Sequence, residues 1–476
     1  MVAAMDIHIR LGRRGDLSAQ IYRQLLGAIL DGRLQSGERL PPTRELARRL
    51  AVSRNTVGVA YEQLVADGVV IGRVGDGSFV SSIPHRDIQR RHAPPGAIYP
   101  RDVWQSISLI ERSPSAPPAY DFDVGVPDHR LFPYTTWRRL LARELRAPDV
   151  QHARYGSPGG HPALRAAIAR HIGLSRSVRA DADDVIVTQG AQQAFDVIGR
   201  VLIADRTCVA VEDPGYPLVQ RLFRTLGARV VGVPVDDEGL NVDAIPHQAR
   251  VVYVTPSHQF PLGMAMSLRR RAALLAWADH RGGVVIEDDY DSEFRYDGRP
   301  LDPLQSLDRM GRVIYVGSFS KVLLPTLRIG FLVAPASLRP ALLTAKQLTD
   351  WHGDLAAQAA LARLIDQGLL SRHIRAVRRE YAARHSQIVE ALERRFRSWL
   401  RPIPSAAGLH LAAVAAGTRA NIARAVHRAR ERGVGVGLLS TYCLEEPSRE
   451  GVVIGYGAIP AARIDEGMKR FAASFV

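Results

Sequence analysis

Over the first eighty residues, apolar positions recur at helical spacing in short runs separated by turn residues. Leu17, Ile21, Leu25 and Ile29, with Leu26 and Leu30 beside them, place an apolar stripe on a helix over 17–30. After Gly37 and Pro41-Pro42, Thr43 reads as an N-cap, and Glu45-Leu46 enter a short helix ending near Leu50 with Arg44, Arg48 and Arg49 outward. Three residues on, Ser53 caps a further helix that runs to about Asp67 and stops at Gly68, with Val57, Ala60, Tyr61 and Leu64 inward. Two short helices across a tight turn form a helix-turn-helix. The stretch 69–80 then predicts two strands about Gly75-Asp76-Gly77, a β wing. A Gly-rich phosphate loop is the competing reading of that turn, but strand residues Phe79 and Val80 follow it where such a loop needs a helix.

From 82 to about 118 the chain is rich in Pro, Arg and Ser, with one short possible helix over 103–110. This is a linker, which if extended would span roughly 120 Å at about 3.3 Å per residue. Beyond Tyr120, strand-like apolar runs at 185–187, 209–211, 230–235, 251–254, 284–286, 313–316 and 329–333 alternate with helical stretches. Seven such runs predict a mainly parallel seven-stranded α/β sheet with both faces covered. Helices from about Leu361, with weaker strands at 409–414 and 452–455, predict a small C-terminal α+β subdomain. The expected division is a winged helix-turn-helix over 14–82, a linker over 83–118 and an α/β domain over 119–476, its small subdomain at about 361–476.

Composition adds partners and compartment. A 46% hydrophobic content over 476 residues supports folding, and Cys208 and Cys443 are too few and too far apart for a disulfide framework or a thiolate metal site. Met1 to Arg14 has no apolar h-region, and no apolar run approaches bilayer length, so the expectation is a cytoplasmic protein with no membrane partner. The net charge of +15 favours a polyanion such as double-stranded DNA, and residues 1–95 carry 14 arginines against nine acidic side chains. Ser53, Arg54 and Thr56 open the second helix, where a recognition helix meets base edges and phosphates. Arg54 is the expected base reader, with Arg44 and the wing around Gly77 on the backbone or in the minor groove.

Only three lysines, Lys321, Lys346 and Lys469, remain among the 63 Lys and Arg residues. Lys321 ends Ser318-Phe319-Ser320-Lys321 after a strand, a place where an amine can condense with an aldehyde if its neighbourhood lowers its pKa. Thirty-three residues earlier, Glu287-Asp288-Asp289-Tyr290-Asp291 closes another strand. A carboxylate there can keep a pyridine nitrogen protonated, and a tyrosine can hydrogen-bond the ring oxygen. Arg328, Ser318 and the backbone of Gly190-Ala191-Gln192, which opens a helix, suit a dianionic phosphate. As a divalent-metal loop the acidic run fails, because Phe294 stands where glycine is needed and no glutamate follows at the twelfth position. His258 has no partner at ligand spacing and reads as a core or site histidine, so no metal is expected. Tyr216, in Asp213-Pro214-Gly215-Tyr216-Pro217, is either a turn aromatic or a ring stacked on a planar cofactor.

These segments resemble the MocR group of regulators, a GntR-type winged helix fused to a fold-type I aminotransferase-like domain. The resemblance rests on 40–47 (LPPTRELA), 53–57 (SRNTV), 286–294 (IEDDYDSEF) and 318–321 (SFSK), and it covers nearly the whole chain. It implies pyridoxal 5'-phosphate as cofactor, bonded by Lys321, with Asp288 on the pyridine nitrogen, Tyr290 on the ring oxygen and Tyr216 stacked on the ring. Arg328, Ser318 and Gly190, Ala191 and Gln192 would hold the phosphate. Tyr155, in Tyr155-Gly156-Ser157-Pro158-Gly159-Gly160, resembles the tyrosine that reaches a neighbouring subunit's phosphate, which implies a head-to-tail homodimer. Three departures bear on the ligand: Phe260 precedes Pro261 where the enzymes have Asn, 452–456 lacks their carboxylate-binding arginine, and Leu218 stands where GABA-type regulators have arginine. The expectation is a regulator sensing pyridoxal phosphate itself or an amine or amino-acid effector, the domain serving for sensing more than turnover. An active aminotransferase carrying a DNA-binding domain is the alternative, and a basic DNA binder with a cofactor-free dimerisation scaffold is a third.

Overall fold

The computed structural model describes residues 9, 11–12, 15–73, 76–81, 98–107, 118–146, 154–297, 301–417, 421–445 and 449–476. The chain divides into two compact units, Met1–Tyr99 and Pro100–Val476. In the first, α1 (Leu17–Leu30) starts where the Asp16 carboxylate accepts the Ser18 and Ala19 amides. Helix α2 (Thr43–Leu50) starts one residue earlier than expected, since Pro42 and not Thr43 is its cap. Proline's restricted φ presets the helix entry, and the Pro42 carbonyl accepts the Glu45 and Leu46 amides at 2.8 and 3.0 Å, so no side-chain cap is required. Helix α3 (Arg54–Ala66) is capped by Ser53 Oγ, which accepts the Thr56 amide at 3.1 Å. Gly68 ends it with φ +71°, a conformation glycine adopts without strain.

Strands β1 (Val70–Arg73) and β2 (Gly77–Val80) pair antiparallel to form the wing. Residues 74 and 75 of the expected turn lie outside the described residues. Ile21, Leu25, Leu46, Val57, Leu64, Val70 and Val80 form the core of this unit. The buried Tyr61 hydroxyl donates to the Pro41 carbonyl at 2.8 Å, fastening α3 to the entrance of α2. Most of the expected linker, 82–97 and 108–117, lies outside the described residues, and its helix is described over Asp102–Ser106.

The first strand of the second unit is β3 (Tyr120–Asp121). The main sheet follows: β4 (Val185–Thr188), β5 (Cys208–Asp213), β6 (Arg229–Asp236), β7 (Gly239–Leu240), β8 (Ala249–Val254), β9 (Val284–Asp289), β10 (Val313–Ser318) and β11 (Gly330–Val333), in the order β4-β11-β10-β9-β8-β5-β6-β7. It has eight strands among the described residues, where seven were expected; β7, two residues paired antiparallel on the edge of β6, is too short to leave an apolar run. Strand β11 runs antiparallel to both β10 and β4, and the other pairs from β6 to β10 are parallel. Alternation splits the core between the faces: Val185 and Val187 pack with the helix Pro162–Arg176, and Ile186 packs with the helix Ala191–Leu202.

Strands β12 (Leu400–Pro402), β13 (His410–Ala415), β15 (Gly437–Leu438) and β16 (Gly451–Gly455) form a small antiparallel sheet in the order β12-β13-β16-β15. Strand β14 (Val434–Gly435) pairs in parallel with β3, so the first strand of this unit belongs beside its last part. The boundary expected near 361 falls inside the helix Leu355–Asp366, which packs on the helices Tyr134–Glu144 and Pro162–Arg176 of the large part. Buried Arg384 binds Asp128 at 2.7 Å and the Gly457 carbonyl at 2.6 Å. Against the cost of burial, its pairing and that of Arg130 hold the Asp128 carboxyl down at about 2. Among the described residues, no helix is long and apolar enough to cross a membrane.

Candidate cofactor site and DNA-reading face

Strand register assembles the site. Ser318 in β10 pairs with Gly330 in β11, which pairs with Thr188 in β4, while Val316 pairs with Asp288 and Gly317 with Asp289 in β9. Lys321, Asp288, Ser318, Arg328 and Gly190 therefore gather at the edge where β4, β9 and β10 end, the usual ligand edge of such sheets. Lys321 Nζ donates to the Gly125 carbonyl at 2.6 Å. Gly125 has φ +75°, and a Cβ there would lie 2.8 Å from Nζ, so glycine at this position leaves room for the amine.

Three consecutive carboxylates have different fates because a strand alternates its faces. Glu287 is buried and accepts the Leu304 and Gln305 amides at 2.8 and 2.9 Å. Asp289, on the same face, pairs with Arg176 at 2.9 Å and accepts the Tyr315 hydroxyl at 2.6 Å. Burial alone would raise it, but Arg176 and that hydroxyl bring it below the ordinary carboxylate value. Asp288 points the other way: Oδ2 accepts the Tyr253 hydroxyl at 2.6 Å, and Oδ1 is buried with no hydrogen-bond partner among the described residues. Burial pushes the Asp288 carboxyl up to about 7, against the opposing influence of Tyr253 and Lys321.

The Tyr290 hydroxyl lies 3.0 Å from His258 Nδ1. The same nitrogen faces the Asp291 carboxylate at 3.0 and 3.2 Å, and His258 Nε2 meets Ser405 Oγ at 3.2 Å. The His410 ring lies 4.8 Å from that of His258. Ligand atoms of His258, Asp291 and His410 lie within 4.8 Å of one another, a grouping that sequence spacing misses because three separate elements supply it.

At the phosphate end, the helix Ala191–Leu202 is capped by Gly190 with φ +78°. A Cβ on Gly190 would sit 2.9 Å from Arg328 Nη2, and one on Gly330 would sit 2.8 Å from the Gly190 backbone. Arg328 is exposed and donates to the Gln189 carbonyl at 2.7 Å, Ser318 Oγ accepts the Ser320 amide at 3.1 Å, and Gln192 Oε1 is buried without a partner among the described residues. Tyr216 lies edge-on to Phe260 at 5.6 Å between ring centres. Tyr155 is 79% exposed and stacks on Trp351 at 5.1 Å, pointing away from its own chain's core.

In the first unit, Ser53 and Arg54 are exposed at the start of α3 with Thr56 half-buried beside them, and Arg44 is exposed on α2. Gly77 is exposed in the wing, where a Cβ would meet the Arg39 guanidinium at 3.1 Å. Sequence reasoning missed Arg39 and Arg73, whose guanidinium carbons lie 6.0 and 4.7 Å from the centre of the Phe79 ring. It also missed Tyr253, Gly125 and His410, since each reaches the site from a different strand or loop.

Comparison with known proteins agrees with both halves. The family of bacterial regulatory proteins of GntR type matches residues 17–80, and aminotransferase class I and II matches residues 120–441. The chain is 36% identical to the probable rhizopine catabolism regulatory protein MocR of Rhizobium meliloti, over 96% of this chain and 93% of that one. It is 32% identical to the pyridoxine biosynthesis transcriptional regulator PdxR of Corynebacterium glutamicum, over 96% of each. Kynurenine aminotransferase of Pyrococcus horikoshii matches at TM-score 0.70 and 27% identity, over 82% of this chain and 98% of that one. The α-aminoadipate aminotransferase LysN of Thermus thermophilus, solved with N-(5'-phosphopyridoxyl)-L-leucine, matches at TM-score 0.68 and 30% identity, over 75% of this chain and 91% of that one. A winged helix-turn-helix joined to a fold-type I aminotransferase domain is the architecture of an HTH-type transcriptional regulator. This chain belongs to the MocR family of GntR regulators.

Proposed function

We propose that this regulator binds pyridoxal phosphate at Lys321 and adjusts its hold on DNA in response to pyridoxal phosphate itself or to an amine that reaches the same site. The observation that carries the reading is the buried Oδ1 of Asp288, unpartnered among the described residues, on the strand beside the one that leads to Lys321. A buried carboxylate oxygen without a donor is costly unless a ligand supplies one, and a protonated ring nitrogen is such a donor. The cofactor, when bound, supplies an aldehyde that exchanges amines and a ring that withdraws electrons.

The chain's own residues do the rest. Lys321 would take the aldehyde carbon with loss of water, Asp288 would hold the proton on the ring nitrogen, Tyr290 would bind the ring oxygen and Tyr216 would lie against the ring. Ser318, Arg328 and the amides at Gly190, Ala191 and Gln192 hold the phosphate; the glycines at 190 and 330 fit, because side chains there would displace Arg328 or the loop itself. Tyr155 reaches the phosphate of a second copy in a head-to-tail homodimer, consistent with its exposure. Arg54 would read a base edge with Ser53 and Thr56 beside it at the helix start, and Arg44 and the wing at Gly77 would meet the backbone or the minor groove. An aminotransferase running repeated cycles is less well supported, since 452–456 carries no arginine for a substrate carboxylate.

Borohydride reduction of protein mixed with pyridoxal phosphate, followed by peptide mapping, tests the site: an adduct on Lys321 is expected, and its absence sinks the sensing reading. Repeated transamination of an amino acid with a keto acid would favour the enzyme instead.

A further inference from the structure

His410, the first residue of β13, is buried with neither ring nitrogen hydrogen-bonded among the described residues. The Pro261 backbone opposes the fall in its pKa without reaching hydrogen-bonding geometry. A buried imidazole with two uncommitted nitrogens is costly, and the cost is removed when a ligand supplies partners. Its neighbours place it beside the candidate site: its ring stacks on Tyr290 at 6.4 Å and lies 5.3 Å from Phe260, which in turn lies edge-on to Tyr216 and Tyr442. Burial first, then His258 and Lys321 nearby, push its pKa well below the ordinary imidazole value, which favours the neutral ring.

We propose that His410 recognises the effector, and that the effector is a primary amine carrying a hydroxyl where an amino acid carries its carboxylate. This rests on the amine-sensing reading above. One nitrogen of a neutral imidazole carries an N–H and the other a lone pair, and a hydroxyl, which both donates and accepts, can pair with whichever of the two it meets. A carboxylate offers only acceptors, so it can pair with the N–H alone, and it brings a charge that a neutral ring does not balance. No arginine in 452–456 supplies the missing cation, and Phe260 replaces the usual Asn with an apolar wall. A metal ion on His258, Asp291 and His410 competes poorly, because the Asp291 carboxylate already faces His258 Nδ1 and Lys321 adds positive charge nearby.

The test titrates the full-length protein, loaded with pyridoxal phosphate, with three amines of equal chain length: 3-aminopropan-1-ol, propylamine and β-alanine. The readout is the cofactor's absorbance. The amino alcohol is expected to bind about tenfold more tightly than propylamine, the worth of one buried hydrogen bond, with β-alanine weakest. His410→Phe is expected to shrink the ratio of alcohol to alkylamine affinity to within about twofold, and His410→Gln to keep part of it. A wild-type preference for β-alanine, an unchanged ratio in both variants, or stoichiometric zinc in the purified protein would overturn the proposal. Failure of the wild type to take up pyridoxal phosphate is a separate result, seen as a missing cofactor band, and it would remove the sensing reading and this proposal together.

Discussion

The Tyr253 hydroxyl donates to Oδ2 of Asp288 at 2.6 Å and leaves Oδ1 as the only oxygen of that carboxylate without a partner among the described residues. Tyr253 stands on β8, a neighbouring strand, and is itself fully buried, so the pair is fixed by the sheet before any ligand arrives. Tyr253→Phe should weaken pyridoxal phosphate binding by about tenfold, because the carboxylate loses the donor that orients it. Fluorescence or absorbance titration of the cofactor measures this, and unchanged affinity would count against Asp288 as the group on the ring nitrogen.

Asp288 also gives the cofactor-free protein a pH dependence. Its folded value, about 7, lies above the ordinary 3.8, so between these limits the folded chain holds a proton that the unfolded chain has released. The stability this gives is complete below about pH 4 and is lost as pH rises through 7. Asp288→Asn does not titrate, so wild type should lose stability relative to it between about pH 4 and 7, by an amount on the order of 4 kcal/mol. Urea unfolding at several pH values reads the difference; parallel curves would mean the carboxyl is not perturbed.

Gly190→Ala should reduce cofactor affinity severalfold or more. The added Cβ meets Arg328 within 3.0 Å, and φ +78° is unfavourable for alanine. Gly330→Ala, which crowds the backbone of Gly190 itself, is expected to do at least as much. Free phosphate competing against cofactor uptake would show whether the damage lies at the phosphate end, and normal uptake by both variants would refute this cradle.

On the DNA side, Arg54→Ala should weaken specific binding by about 1–3 kcal/mol and leave cofactor uptake intact. Ser53→Ala removes the cap bond to Thr56, and should cost α3 about 1 kcal/mol while reducing DNA binding less selectively. Gel-shift assays with specific and scrambled duplexes separate the two. Equal losses on both duplexes for Arg54→Ala would assign it to the phosphate backbone.

Tyr155→Ala touches no buried core, yet should lower cofactor affinity several-fold in the dimer reading, because the tyrosine serves the other subunit. Titrations at high and low protein concentration should differ for wild type and converge for the variant. Identical behaviour at both would leave Tyr155 with only its stacking on Trp351.

Much of the fold was legible because periodicity reports burial directly: the stripe in α1, the Ser53 cap and the seven apolar runs each correspond to an element seen in the structure. Elements too short to show a period were not legible, β7 among them, and neither was the pairing of β3 with β14 across more than three hundred residues.

For the site, the sequence determined the residues with distinctive chemistry. Lys321 is one of three lysines, Asp288 lies in an acidic run at a strand end, and Gly190 precedes a helix. The tertiary structure alone decided that Asp288 faces Tyr253 while Asp289 faces Arg176, that Gly125 meets the amine of Lys321, and that His258, Asp291 and His410 converge. The reason is physical: local sequence sets which way each side chain leaves its strand, but strand order and register decide what it meets there. Register is a property of the whole packed sheet, with no local code in the residues that it brings together.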